Sequence, residues 1–531
     1  MSARVFQRLL VLLIGIRMIG MIFVPLADTS EPRYADIARR MAQSGDWITP
    51  WFDDGFPFWG KPPLAFWCEA LSFRLLGVNE FAARLPSLIA TLLCAALLFR
   101  YLRRVASLDA ARMGVLVFLS SLLVYLSAGA VILDPFLTLA STLIMVSLAM
   151  SLTERSAGWW RYGPFLGVAI GLLAKGPIIV VLAGAAVLPW MLWVYLSGQA
   201  GRLGGLRSLP WLSGFLLCAV VAIPWYLLAE MKTPGFLRYF IVGEHFERFV
   251  VDGWPGDLYG NGHRAPHGMI WLHALVASLP WLPLLAVVLW QRRSRQSVTR
   301  PGTPGAGVQI AYLLTWTLSP LVFFTASANI LWTYTLPSLP ALAAIIAIYL
   351  QPGADAAGSS VRVRPRHTPV YLSVAFAPAL MLLAMLAVSL NGNLLKSEKS
   401  LVYYAARLLP PEQSLSYVGP VPFSAKFYSR GSARSLSWDD LGVPFTSPAP
   451  PCVAVRLSQI DRLERLVGAQ SRMLWRNKRY ALVDWAADDA DATPCEGPFP
   501  DRQNDQYRSA ATLSPTDSKG VAVSPSSAEG A

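Results

Sequence analysis

Runs of about twenty consecutive apolar residues recur along most of the chain, the length an α-helix needs to cross the hydrocarbon core of a bilayer. The runs are continuous rather than alternating, which argues against a closed β-barrel. The sequence therefore specifies an α-helical polytopic membrane protein. About eleven spans are expected, and thirteen at the upper bound. They fall near 7–27, 82–102, 111–129, 132–152, 162–175, 176–197, 208–230, 268–291, 307–326, 329–350 and 368–391. Composition agrees, since 54% of the 531 residues are hydrophobic and only 15% are charged.

The net charge of +13 suggests nucleic acid at first sight. The positions of the charges point instead to membrane topology. Arg100, Arg103, Arg104 and Arg112 follow the second run, and Glu154, Arg155 and Arg161 the fourth. Arg202 and Arg207 follow the sixth, Arg292, Arg293 and Arg295 the eighth, and Arg362, Arg364 and Arg366 the tenth. Every even-numbered exit is basic, which places those loops in the cytoplasm. The first run carries Arg4 and Arg8 ahead of it and is interrupted by Arg17; it is expected to be a retained first span rather than a cleaved signal. An odd number of spans then puts the N-terminus inside and the C-terminal region outside.

The chain divides by composition into a membrane part, 1–391, a small α/β domain, 392–500, and a Ser-, Pro- and Asp-rich tail, 501–531, expected to be disordered. In the α/β domain "SLSYVG" and "CVAVRL" read as strands, "LSQIDRLERLV" as a helix and "MLWRNKRYALVDW" as a hairpin around Asn477. Cys68, Cys94 and Cys218 read as small core residues. Cys452 and Cys495 can pair if their region is extracytoplasmic. No zinc-type cysteine spacing occurs. His263 and His267 have i,i+4 spacing, but Pro266 lies between them and argues against a metal site on a helix.

Two outer loops, 28–81 and 232–269, are long and rich in Trp, Gly, Pro and charge, as functional loops are. In the first, Asp28 and Glu31 stand at the mouth of the first span. Ser30 and Pro32 open a helical pattern with Tyr34, Ile37, Ala38 and Met41 on one face, expected to lie at the membrane surface. A second such helix starts at Pro62-Pro63, just after Lys61. The plain structural account of the two acids is capping and dipole compensation, worth under about 1 kcal/mol each when exposed. Lys61 can likewise be a snorkelling side chain.

The order of several segments resembles a known family. "EPRYADIARRM", "SGDWITP", "FWGKPPLAFW" and "GVNEFAARLPS" in the first loop resemble that of bacterial GT-C glycosyltransferases. These are relatives of the dolichyl-phosphate-mannose protein mannosyltransferases and of the lipid A aminoarabinose transferase, families 39 and 83. The resemblance continues through "LDPFLTLA" at Leu133–Ala140, "LLAKGP" at Leu172–Pro177 and "GEHFERF" at Gly243–Phe249. It goes on through "HRAPHGMIW" and "LPW" to "TYTLPSLPALA" at Thr333–Ala343.

The resemblance implies a GT-C fold in the cell inner membrane. It also implies transfer of a sugar from a polyprenyl-phosphate carrier to an acceptor hydroxyl or phosphate on the periplasmic side, with inversion. Lipid A, protein and other envelope glycans are the acceptor classes. Glu31 matches the second acid of the family's pair and Asp28 lies two residues before the place of the first; the two are the catalytic candidates, with Asp28 or Glu31 as base, Asp28 favoured. Arg33, Tyr34, Lys61, Arg84, Lys175, His245, Arg248 and Tyr334 are candidates for the donor phosphate and sugar. Asp134 is a candidate cation contact or base-orienting residue, and a divalent cation is the one cofactor left open. The chain departs from the family at Ser30, where an acid usually precedes the one matched by Glu31, and at Gly60, where many relatives carry Glu. Nor is there a lysine before Tyr334. A transporter or flippase of a lipid-linked sugar is the alternative; inverted repeats would favour it, and none is visible. A non-enzymatic scaffold has no need of acids beside a lysine at the membrane surface.

Overall fold

In the computed structural model the chain is described over residues 1–484, apart from 154–157, 252–253, 255, 257, 261–264, 295–305, 328, 352–367, 411–412, 443–451 and 468–471. It divides into two compact units. The first comprises Met1–Val402 and Pro420–Arg434; the second comprises Tyr403–Gly419 and the residues from Ser435 onward.

The first unit is a helical bundle. Its long helices are α1 (Ala3–Phe23), α4 (Glu80–Val105), α7 (Asp134–Thr153), α9 (Ile178–Leu196), α10 (Trp211–Lys232), α14 (Ala306–Thr325) and α16 (Thr368–Leu390). Between them lie α2 (Ser30–Ser44), α3 (Leu64–Leu76), α5 (Leu108–Ser120), α6 (Leu122–Ser127) and α8 (Gly163–Lys175). Further along come α11 (Arg248–Val250), α12 (Met269–Ala277), α13 (Trp281–Ser294) and α15 (Leu339–Leu350). A two-stranded ribbon, β1 (Trp51–Asp53) with β2 (Phe56–Pro57), joins α2 to α3.

Each of the eleven apolar runs is helical. Among the described residues eight helices are long and apolar enough to cross a bilayer. One of them combines α15 with the short 3₁₀ turn ahead of it, and a ninth span results if α12 and α13, bent by 85°, are taken together. α8 and the α5–α6 pair are shorter. The chain is a multi-pass membrane protein. The basic segments 295–305 and 352–367, His263, Cys495 and the tail lie outside the described residues.

Local chemistry sets the ends of these helices. Asn79 accepts from the Ala82 amide at 2.9 Å and starts α4; Ser107 does the same for α5 through Ala110 at 3.0 Å. Gly45, at φ 73°, ends α2 in the left-handed conformation. Helix packing in lipid depends on close approach rather than on hydrophobic expulsion. Gly167 on α8 supplies it against α7, where a Cβ would come within 2.9 Å of the Ala140 carbonyl oxygen. The bundle core is held by Leu98, Tyr101, Trp281 and Trp316, all essentially inaccessible.

The surface helix α2 departs from expectation on its polar side. Ile37, Ala38 and Met41 are buried as the pattern requires, but so are Asp36 and Arg39, at 2% and 3% exposure. Asp36 accepts from Arg39 Nε at 2.7 Å and Arg40 Nε at 3.1 Å. Both faces are covered because α18 (Phe423–Tyr428), from the Pro420–Arg434 segment, packs on α2 as well. That partner is nearly four hundred residues away in sequence, so local periodicity gave no sign of it.

The second unit is built on a five-stranded sheet in the order β4 (Arg434–Leu436), β3 (Ser416–Val418), β5 (Cys452–Arg456), β7 (Tyr480–Asp484), β6 (Arg472–Arg476). β3 and β5 are parallel, which demands a crossover connection, and residues Pro420–Arg434 of the intervening chain belong to the first unit. β6 and β7 form the expected hairpin, with Asn477 Oδ1 accepting the amides of Arg479 and Tyr480 at 2.7 Å each. α17 (Lys399–Leu408) leads into this unit, and α19 (Ile460–Val467) buries Leu463 against the sheet. Cys452 is disulfide-bonded.

Candidate functional site

A cavity of about 710 Å³ opens within the first unit. Its floor and walls come from the start of α2, the residues around Lys61, the tops of α7 and α8, the π-helical turn Arg238–Glu247 and the segment leading to α15. Four cations, Arg33, Lys61, Lys175 and Arg248, line it against two carboxylates, Asp134 and Glu244, so the described wall carries an excess of positive charge.

The two carboxylates organise the cations. Glu244 Oε2 accepts from Lys61 Nζ at 2.8 Å, and Arg248 Nη1 donates to both Glu244 oxygens at 2.9 and 3.0 Å. Burial alone would raise the Glu244 pKa, but the charges of Lys61 and Arg248 and the Lys61 hydrogen bond outweigh it and hold the group below the usual carboxylate range. Glu244 therefore stays ionised as a fixed negative bridge between two cations. On the opposite side Lys175 Nζ donates to Asp134 Oδ1 at 2.6 Å and sits 4.4 Å from the centre of the Tyr334 ring, a cation–π contact.

A lysine has three donors. Among the described residues Lys61 uses two, on Glu244 and the Gly60 carbonyl, and Lys175 uses one. Both ammonium groups can still bind an incoming anion. Arg33 donates to the Tyr259 carbonyl at 2.7 Å and lies over the rings of Tyr34 and Phe423, 5.0 and 5.8 Å from their centres. His245 places Nδ1 2.7 Å from the Phe240 carbonyl oxygen and Nε2 3.1 Å from that of Lys175. Burial is the largest influence on this ring and lowers its pKa. The ring thus lies between the π-helical turn and the end of α8, with a carbonyl oxygen within reach of each nitrogen.

Seven of the residues expected from sequence for the donor come together here, namely Arg33, Tyr34, Lys61, Lys175, His245, Arg248 and Tyr334, along with Asp134. Asp28, Glu31 and Arg84 are elsewhere. Arg84 is 3% exposed and donates to both Glu31 oxygens, at 3.2 and 2.9 Å, and to the carbonyls of Met21, Val24 and Pro25. Glu31 Oε1 also accepts the Val131 amide at 3.0 Å. Burial would raise the Glu31 pKa, but Arg84 and the Val131 amide lower it overall. The pair joins the ends of α1, α2, α4 and the segment before α7. Asp28 accepts from both the amide and the hydroxyl of Ser424, at 2.8 Å each. The cavity begins one residue later, at Thr29 and Ser30.

Glu244, Asn329 and Phe423 also line the cavity and were not singled out from sequence. Glu244 had a signal, because an acid four residues before Arg248 on a helix is a pairing position. Phe423 had none, since its place depends on the return of a distant segment.

Residues 9–240 match the family model of dolichyl-phosphate-mannose-protein mannosyltransferase. The chain is 29% identical over 371 residues to the undecaprenyl phosphate-alpha-4-amino-4-deoxy-L-arabinose arabinosyl transferase of Erwinia tasmaniensis, covering 68% of this chain and 62% of that one. It is 33% identical over 347 residues to the protein of the same name from Edwardsiella ictaluri, covering 64% and 58%. The match thus spans about three fifths of these relatives' own length. Among solved structures the fold resembles ArnT from Cupriavidus metallidurans, crystallised with undecaprenyl phosphate, at a TM-score of 0.72 and 18% identity, over 94% of this chain and all of that one.

Proposed function

The chain has the GT-C fold and is related to the mannosyl- and aminoarabinosyltransferases just described, and on that premise we propose that it is a glycosyltransferase using a polyprenyl-phosphate sugar. The observation that carries this reading is the cavity itself, whose lysines keep uncommitted donors beside an aromatic wall. Lys61, Lys175 and Arg248 hold the donor phosphate, and Arg33, Tyr34, His245 and Tyr334 shape the surrounding wall. As the bond between sugar and phosphate breaks, charge grows on the departing phosphate, where fixed cations stabilise it. The acceptor hydroxyl or phosphate attacks the anomeric carbon from the opposite side, which inverts it.

A hydroxyl acceptor must lose its proton as it attacks. Asp134 is the carboxylate on the cavity wall with one oxygen on Lys175, and it takes the role of base in this reading. Asp28, the base suggested by the family resemblance, is the second candidate, because its chain neighbours Thr29 and Ser30 line the cavity. For Asp28 to act, it must leave Ser424. Glu31 serves structure through Arg84.

The cavity faces the periplasm of a cell inner membrane in this proposal, with the N-terminus in the cytoplasm. The basic exits of the even-numbered spans support that orientation, and so does the disulfide at Cys452, since disulfides persist in oxidising compartments. Lipid A, protein hydroxyls and other envelope glycans are the acceptor classes.

The test is release of free polyprenyl phosphate by the purified protein, given a panel of polyprenyl-phosphate sugars and an envelope extract as acceptor. Release from one donor, abolished in Asp134→Asn, is expected. Tight donor binding without release, together with movement of the donor across vesicle membranes, would overturn the enzyme in favour of a flippase.

A further inference from the structure

A second cavity, of about 770 Å³, lies between α1, α4, α5 and α7. Phe6 and Leu10 of α1 face Leu92 and Phe99 of α4 across it, and Val115 and Leu119 of α5 close one side. At one end stand Arg100, Arg103 and Arg104, and among the described lining residues none is acidic. On the same helix α4, Arg84 belongs to the other end of the bundle. The nineteen helical steps from Arg84 to Arg103 span about 28 Å, close to the thickness of a bilayer core. The groove shares no lining residue with the site described above.

We propose that the groove binds one anionic glycerophospholipid, with an acyl chain along Phe6, Leu10, Leu92 and Phe99 and its phosphate on Arg100 and Arg103. The chemistry of the two halves matches such a molecule and no small soluble ligand. The apolar part runs along α4 from Leu92 to Phe99, and the charged residues among its described lining are all cationic. A basic residue kept only as a topology signal needs no groove beside it. The Arg100 guanidinium lies 5.8 Å from the centre of the Trp160 ring, a cation–π contact that holds it beside the groove. Arg112, one helix over, shows the contrast, being engaged by the Met1 carbonyl and Asp109. Basic pockets between spanning helices on the cytoplasmic side take anionic lipid head groups. The shape and charge here extend that pattern to the whole molecule, head and tail.

The experiment is native mass spectrometry and thermal unfolding of the full-length protein, delipidated and then supplied with phosphatidylglycerol or phosphatidylcholine of matched chains. Two arginines predict about a tenfold or greater preference for the anionic lipid. Arg100→Gln/Arg103→Gln should lose that preference, and Arg100→Lys/Arg103→Lys should recover most of it. Ala96→Trp, which fills the groove without touching charge, should reduce retention of the bound lipid. Polyprenyl-phosphate release should persist in all of these variants. Equal retention of both lipids by the wild type would overturn the proposal. So would undiminished phosphatidylglycerol retention in the double glutamine variant, or a polyprenyl phosphate displacing it.

Discussion

Two ion-paired clusters in the first unit use the same chemistry to different ends. Around Glu31, the guanidinium of Arg84 spends its donors on two carboxylate oxygens and three backbone carbonyls. Glu31 keeps 20% of its side-chain surface, yet both oxygens are committed. Among the described residues around the cavity, Lys61 and Lys175 leave donors unspent. A planar five-donor cation suits a joint between segments, whereas a compact ammonium with spare donors suits transient binding of an anion. Hydrogen-bond saturation, more than burial or charge, separates the Arg84–Glu31 pair from the two lysines on the cavity wall.

Substitutions can break that distinction. Asp134→Asn should lower turnover by about 10²–10⁴-fold, the range for loss of a general base, while the folded protein persists. A steady-state rate within a few-fold of wild type would move the base elsewhere, with Asp28 next in line. Glu31→Gln should act in the opposite sense, leaving a buried guanidinium short of its counter-charge at a cost of about 3 kcal/mol in stability. Its turnover per folded molecule should remain close to normal. If thermal unfolding is unchanged and turnover collapses, Glu31 belongs to the chemistry and the distinction fails.

Lys61→Ala should weaken donor binding by about 10–100-fold, as expected for one charge-assisted hydrogen bond, and free Glu244 to pair with Arg248 alone. Titration with a non-transferable donor analogue would measure it. Asp28→Asn should cost about 1–2 kcal/mol through its contacts with Ser424. A loss of turnover approaching that of Asp134→Asn would instead restore the assignment drawn from the family. Last, Glu31 and Glu244 have folded pKa values below their ordinary 4.5. Their stabilisation is complete above that ordinary value and is lost as pH falls through the lowered ones. Unfolding monitored from pH 6 to pH 3 should show the loss in the wild type and a smaller one in Glu31→Gln.

Much of this was legible in the sequence because it is written locally. Apolar runs located the helices, Pro32 and Pro63 marked the starts of α2 and α3, and Asn477 marked the hairpin. The ordered segments around Lys61, Lys175, His245 and Tyr334 identified residues that the fold gathers around one cavity. What escaped was long-range partnership. Nothing near Asp28 announces Ser424, and nothing near Asp36 announces the cover over it. The roles of the acids depend on those partners, so the sequence put Asp28 and Glu31 forward as the catalytic candidates and Asp134 only as a cation contact or base-orienting residue.

The return of Pro420–Arg434 to the bundle has a consequence in time. A nascent chain with every residue through Val402 already emerged still lacks Phe423 on its cavity wall and Ser424 against Asp28. The cavity wall is thus completed only after the chain through Phe423 has left the ribosome. A chain ended before Phe423 is left with that wall incomplete.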